Sequence, residues 1–439
     1  VTNASVPPMK RVLVIATDFP PQGGAGAMRV TKFVKYLPQF GWQPLVVCVD
    51  SNWNRDESLL ADLPPGLLVR RVPWPSLIRR IWRPGLPPSS IPVNRTDKQS
   101  PAQILRRAGT QLAWRLLVPD VYRLWIGAAE RACVQLLREQ PCDVVFTTSP
   151  PSSVHLVAQR LHARFRLPWV ADFRDVWTAN NQALRQLGKL NYARQLHKER
   201  TVLQECDRAV MVTSPLADYA RETFRIPAAK FATITNGFDP SDFAGPTPPL
   251  DRSHFVIAHI GTIIGSAQAQ NDFPDGLRLA LAQSETFRRM VRVRFVGQLN
   301  PEFRARFAGL DQNVEVAGFM PHAAAVDLMR RAHVLLLIMP DGGQLTSPNK
   351  FFEHLAARRP MLAIVRQGFI SDIITREEIG LAAPPDDAPA IARALLSLFD
   401  SVRAEPKGNV ASPSLLARFD RRELTKELIT VLSTARRAG

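Results

Sequence analysis

Residues 341–360 read DGGQLTSPNKFFEHLAARRP and gather the groups in this chain best suited to holding an anion. Ser347 is placed to N-cap a helix, Pro348 suits its first position, and Asn349 and Lys350 fill its first turn. The helix is expected to run through 351–357 and to stop ahead of Pro360. Such a start leaves backbone N–H groups free and carries the positive end of the helix dipole, which favours phosphate. Lys350 adds a full charge at that end, and Glu353, three residues on, shares its face. An anion site with a carboxylate one turn away suits a nucleotide, the phosphates at the helix end and the ribose diol on the carboxylate. The same signals also mark an ordinary capped helix behind a core strand, because capping residues are common.

Other candidates stand at strand ends. Arg174 and Asp175 follow the apolar run 169–172 and are flanked by Phe173 and Trp177. A charged pair among aromatics is a site candidate, and equally a structural ion pair. Gly261 and Thr262 close the run 254–260, where a bare backbone lets a ligand approach. His155 lies on a helix expected over 154–165, and a lone helical histidine is more often packed or solvated than reactive. Near the start, Gly24-Ala-Gly26 with Asp50 some way on has the look of a dinucleotide fingerprint. Residues 17–22, with Pro20 and Pro21, separate the strand from those glycines, and Arg29 occupies the third glycine position. The fingerprint is therefore set aside, while the loop still fits backbone approach to a ligand at a sheet edge.

The elements that must position these residues alternate between strand and helix. Apolar runs at 11–16, 44–49, 143–148, 169–172 and 209–213, with helical stretches between, read as parallel β/α units buried on both faces. A proline-rich stretch over 244–250 separates them from a second series beginning at 254, with strands at 291–296, 314–316, 333–339 and 360–365. Residues 414–434 read as one amphipathic terminal helix. The 439 residues suit two domains, and 46% hydrophobic content suffices for two cores. No apolar run reaches the length of a membrane span, and the first one, 12–16, is too short for a signal peptide core. Four cysteines without C-x-x-C spacing read as reduced, buried thiols of a cytosolic protein. No metal-ligand spacing occurs among the histidines, so no metal is expected. The net charge of +17 implies an anionic partner. Between Arg70 and Val118 ten basic residues face a single acid, with Trp74, Trp82 and Trp114 interleaved. That composition suits an anionic membrane surface better than a solvated insertion, and no nucleic-acid recognition motif accompanies it.

Taken in order, FPPQGGAGAMR, TTSPPSSVHL, ADFRDVW, ITNGFD, the Gly261-Thr262 strand end, VEVAGFMPH and TSPNKFFEHLAARRP resemble glycosyltransferase family 4 and its relatives over nearly the whole chain except 52–120. The resemblance implies an α/β protein of GT-B fold, two Rossmann-like β/α/β domains facing across a cleft. Residues 1–243 would form the acceptor domain, with a basic insertion over about 52–120. Residues 244–253 would be the linker, 254–404 the nucleotide-sugar domain, and 405–439 a terminal linker and helix packing back on the first domain. By the same resemblance Glu353 takes the ribose hydroxyls, and Lys350 with Thr346, Ser347 and Asn349 takes the diphosphate. Gly318, Phe319 and Met320 hold the base, and Gly23 and Gly24 close over the phosphates. The family's second glutamate, eight residues before the ribose glutamate, is Leu345 here, so either the amides of Gly342, Gly343 and Gln344 or the Asp341 carboxylate are expected to serve the donor sugar. The family's Arg and Lys pair after the second domain's first strand is missing from GTIIGSAQAQN, which leaves more of the phosphate charge to Lys350. No Asp-x-Asp motif occurs, which favours metal-independent chemistry with no cofactor beyond the donor itself.

The resemblance thus implies a retaining transferase that moves a sugar from a nucleoside-diphosphate sugar, a UDP-sugar first, to a lipid-linked or polysaccharide acceptor at the inner face of the cell membrane. Asp175 is the candidate to position or deprotonate the acceptor hydroxyl, with His155 behind it. The rival readings are a nucleotide-sugar epimerase of the same fold and a non-catalytic binding protein held at the membrane by the basic insertion.

Overall fold

A computed structural model describes residues 9–51, 55–74, 116–179, 181–246, 248–263, 271–318, 320–339, 345–405 and 411–435. The chain forms two compact units, 1–235 with 424–439, and 236–423. The division falls ahead of the expected 244–253 linker. Ala244, Gly245 and Pro248 are tied within the second unit, where Arg330 donates to the carbonyls of Ala244 and Gly245 and Arg359 to that of Pro248.

The first unit holds seven parallel strands: β1 (Lys10–Ile15), β2 (Trp42–Asp50), β3 (Leu68–Pro73), β4 (Val144–Ser149), β5 (Trp169–Phe173), β6 (Arg208–Met211) and β7 (Phe231–Thr233). Their order is β3-β2-β1-β4-β5-β6-β7. Val12 to Ile15 are at most 1% exposed, as a central strand covered on both faces requires. The helix Ala25–Tyr36 packs Val30, Phe33 and Val34 on the sheet beside Leu424, Leu428 and Leu432 of the last helix. That last helix runs from Arg421 to Thr434, and a short separate one covers Pro413–Arg418. The single helix expected over 414–434 is therefore broken at Phe419 and Asp420.

The second unit holds β8 (Phe255–Ile260), β9 (Val291–Val296), β10 (Val314–Gly318), β11 (Val334–Ile338), β12 (Met361–Ile364) and β13 (Gly380–Ala383) in the order β10-β9-β8-β11-β12-β13, again all parallel. Apolar clusters cover its two faces, one around Phe352, Leu335 and Met361, the other around Phe255, Phe273 and Phe295. In each sheet the order reverses once, between β1 and β4 and between β8 and β11. At such a switch point the connections leave to opposite faces, and a crevice opens beyond the strands' C-terminal ends.

Candidate functional site

At the β8/β11 switch point β8 runs into Gly261, and the chain that leaves β11 returns as the helix Asn349–Ala356. A side chain on Gly261 has no room: a Cβ there would lie 2.7 Å from Lys350 Cε and 3.0 Å from its Nζ. The Lys350 amine therefore lies across the bare end of β8. Burial lowers its pKa, and Glu353, one turn on, opposes that shift. Gly297 stands behind Gly261, where a Cβ would meet the Gly261 carbonyl oxygen at 2.6 Å, and it bridges to Gly318 at the end of β10. Gly297 has φ +117° and Gly318 φ +70°, conformations that disfavour any other residue. Three neighbouring strands thus end in glycine, and their backbones form a shelf beside one lysine.

The helix start differs from the sequence expectation. Pro348, not Ser347, occupies the N-cap position, and no side chain caps the helix. Ser347 is 3% exposed, and its Oγ has no hydrogen-bond partner among the described residues. The change follows from Asn236, whose Nδ2 donates to the Ser347 carbonyl at 2.7 Å and holds that residue outside the helix. The start of a helix carries the positive end of its dipole, which suits an anion. Thr346 and Asn349 are partly buried at this end, Thr262 is exposed past β8, and Met320 packs on the second unit's core. Phe319, Gly342 and Gly343 lie outside the described residues.

Two histidines back the lysine. His259, on β8, is 2% exposed with Nδ1 on the Leu336 carbonyl, and His354, beside Glu353 on the helix, is fully buried with neither ring nitrogen partnered. Burial first, then Lys350, pushes the His259 pKa down to about 4. Burial, then His259 and Lys350, lowers that of His354 well below the usual range. Both histidines are held neutral at physiological pH.

In the first unit the corresponding ends carry a different set. Arg174 pairs with Asp18 beyond β1, Nη2 to Oδ2 at 3.2 Å, and also donates to the Pro150 carbonyl after β4. Gln22 donates to the other Asp18 oxygen at 2.8 Å. A Cβ on Gly26 would collide with this pair unless the pair shifted, and Gly26 lies in the first turn of the helix Ala25–Tyr36. Gly23 is buried, and Gly24 is exposed at φ +102° as the residue before that helix. Asp175 is not the partner of Arg174. Its carboxylate accepts from the Val176 N–H, and the residue is exposed. The protein around it still raises its pKa by desolvation, with Val176 and Arg174 opposing. Among the described residues Asp175 forms no ion pair, and the residue is exposed.

His155 is a correction. It is fully buried, with Nδ1 on Thr147 Oγ1 at 2.8 Å and its ring among Trp169, Phe173 and Trp177. Burial pushes its pKa down to about 3. A ring in that setting cannot reach a substrate, and it serves packing.

Sequence reading passed over Asp18, Gly297, His259 and His354, and also a buried pair, Arg29 and Asp172, joined by two hydrogen bonds of 3.0 and 2.7 Å. Arg29 also donates to the carbonyls of Ile234 and Thr235. The one usable signal was that each polar member stands at or just past a strand end, or in the helix that follows. Among the described residues no cluster of three or more metal-binding side chains occurs. A cavity of about 520 Å³ past β12 and β13, lined by Gln367, Ser371, Asp372 and Arg376 among others, includes none of the candidates.

Two parallel-sheet units, each with one reversal of strand order, have the architecture of GT-B glycosyltransferases. The chain belongs to glycosyltransferase family 4: the model described as Glycosyltransferase Family 4 matches residues 23–242, and that described as Glycosyl transferases group 1 matches 255–401. No curated protein matches it in sequence. Among solved structures it is similar to a sucrose-phosphate synthase from Thermosynechococcus elongatus, with 15% identity over 97% of this chain and 98% of that one and a TM-score of 0.64. HepE from Anabaena, solved in complex with UDP, shows 16% identity over 97% and 100% of the chains and a TM-score of 0.60. An α,α-trehalose-phosphate synthase (UDP-forming) from Burkholderia xenovorans, in complex with glucose-6-phosphate, shows 14% identity over 96% and 100% and a TM-score of 0.64. At these identities the likeness is one of fold.

Proposed function

We propose that this glycosyltransferase retains anomeric configuration, works without a metal ion, and takes a UDP-sugar on its second unit for transfer to a lipid-linked or polysaccharide acceptor. The observation that carries the donor site is Lys350 lying across bare Gly261 beside an uncapped helix start. In this reading the diphosphate sits on the amides at 347–350 and on Lys350. Glu353 takes the ribose hydroxyls, and the shelf of Gly261, Gly297 and Gly318 receives the nucleoside. Glycosidic transfer passes through an oxocarbenium-like state while the diphosphate gains charge. The helix dipole and Lys350 stabilise that charge. Exposed Asp175 orients or deprotonates the acceptor hydroxyl. The UDP bound by HepE and the UDP formed by the trehalose-phosphate synthase support uridine as the base. The basic segment 70–118 supports attachment to an anionic membrane.

Calorimetric titration with UDP-, GDP- and ADP-sugars, followed by product analysis with acceptor and after EDTA, tests the reading. UDP-sugar is expected to bind, and turnover to persist in EDTA. Glu353→Gln is expected to weaken donor binding by about tenfold or more, since a charge-assisted bond contributes roughly 1.5–3 kcal/mol. Unchanged affinity removes the ribose role from Glu353.

A further inference from the structure

The chain passes from one unit to the other twice, at 235–236 and at 423–424. On the second-unit side the two passages are stitched together. The Phe238 N–H donates to the Phe419 carbonyl at 3.0 Å and the Arg421 N–H to the Phe238 carbonyl at 2.9 Å, with Phe238 bridging Asp420 in parallel. Each passage also sends one side chain to the start of the phosphate helix. Asn236 Nδ2 donates to the Ser347 carbonyl at 2.7 Å, and Arg421 Nη2 donates to Asn349 Oδ1 at 3.1 Å. Both donors are buried, Asn236 at 8% and Arg421 at 2% exposure, so these bonds exchange little with water. They grip the two residues on either side of Pro348, which has no N–H of its own to fix the turn. An Asn349 oxygen held by a guanidinium also does not compete for the helix amides.

We propose that Asn236 and Arg421 are positioning residues that tie the phosphate-binding turn 347–350 to both chain passages, so that a nucleoside diphosphate seated there stiffens 236–239 and 419–421. The inference rests on the donor-site reading above. A ligand that gathers the amides of this turn restrains the Ser347 carbonyl and the Asn349 side chain, and the two bonds carry that restraint to the passages. Linkage makes the coupling reciprocal: loosening the passages weakens the ligand by the same factor.

Hydrogen–deuterium exchange on the full chain, with and without saturating UDP, GDP or ADP, tests it. In wild type the nucleotide that binds is expected to slow exchange both at 349–353 and at the passages. Asn236→Ala is expected to bind about fivefold more weakly, as for one lost neutral hydrogen bond, to keep the slowing at 349–353, and to lose it at 236–239. Arg421→Lys, which keeps a cationic donor, is expected to retain the slowing at 419–421, and Arg421→Ala to lose it. Should Arg421→Ala not fold, Asn236→Ala decides. Equal slowing at the passages in Asn236→Ala and wild type overturns the proposal, as does wild-type binding with no change there. If none of the three nucleotides binds wild type in calorimetry, the donor-site reading fails and this inference falls with it.

Discussion

Glu199 is 3% exposed and accepts from the Thr178 N–H and hydroxyl. Burial pushes its pKa up to about 7 from an ordinary 4.5, with the Thr178 bonds opposing. A carboxyl whose folded pKa is raised keeps its proton where the unfolded chain loses it, so stability falls as pH rises from 4.5 to about 7. The loss is on the order of 3 kcal/mol. Asp120, raised to about 6 by burial, adds a smaller loss between 3.8 and 6. Glu199→Gln keeps an oxygen for Thr178 and removes the ionisation, so its melting temperature should exceed wild type at pH 8 and match it near pH 5. Equal midpoints at both pH values would show that Glu199 is not held protonated. Asp175 and His155 mark what single residues disclose in sequence. Both stand near a strand end among aromatics, yet one carboxylate is open and one ring is sealed. Which is which depends on Asp18, which reaches Arg174 from 156 positions away, and on how closely Trp169, Phe173 and Trp177 pack around His155.

At the scale of elements, the proposed donor site joins a strand end to a helix start. Gly261→Ala would place a methyl carbon 2.7 Å from Lys350 Cε. The far end of a lysine moves more easily than a strand, so the fold should survive while the amine leaves its position over β8. Turnover should fall about tenfold, the equivalent of 1.4 kcal/mol of lost transition-state stabilisation, with little change in melting temperature. Wild-type turnover in that variant would detach Lys350 from the chemistry. The central strands were legible because β1, β4, β8 and β11 are each built on an apolar run, VLVI, VVF, FVIA and VLLLI. β3 was not: its sequence, LVRRVP, carries two arginines and lies at a sheet edge, where one side needs no strand partner. β13, GLAA, offers no β-branched residue and exists through pairing with β12. The helix at 349–356 was read from capping chemistry that the structure does not use. Asn236, more than a hundred residues away, fixes Ser347 outside the helix, and no local pattern carries that information.

Over the whole molecule the charge is +17, and ten basic residues lie between Arg70 and Val118. Most of that segment lies outside the described residues, so the expectation of membrane contact stands on its composition. No helix among the described residues is long and apolar enough to cross a membrane. A peripheral attachment would then rest on charge, at about 1 kcal/mol for each Lys or Arg near an anionic surface. Several arginines acting together are enough for stable binding at low salt, and screening should release the protein as the Debye length shrinks from about 10 Å at 0.1 M. Tryptophans alone would hold it weakly, so neutral vesicles should bind little. Replacing Arg79, Arg80, Arg83, Arg106 and Arg107 with glutamine is expected to free the enzyme from phosphatidylserine vesicles at 0.1 M salt. Turnover on a short soluble acceptor should be unchanged, because the donor residues belong to the second unit. Sedimentation with vesicles and a turnover assay on the same preparation separate the two effects. If the wild type stays in the supernatant at low salt, the basic segment does not serve a membrane. If the variant loses soluble-acceptor turnover as well, the arginines belong to acceptor binding instead.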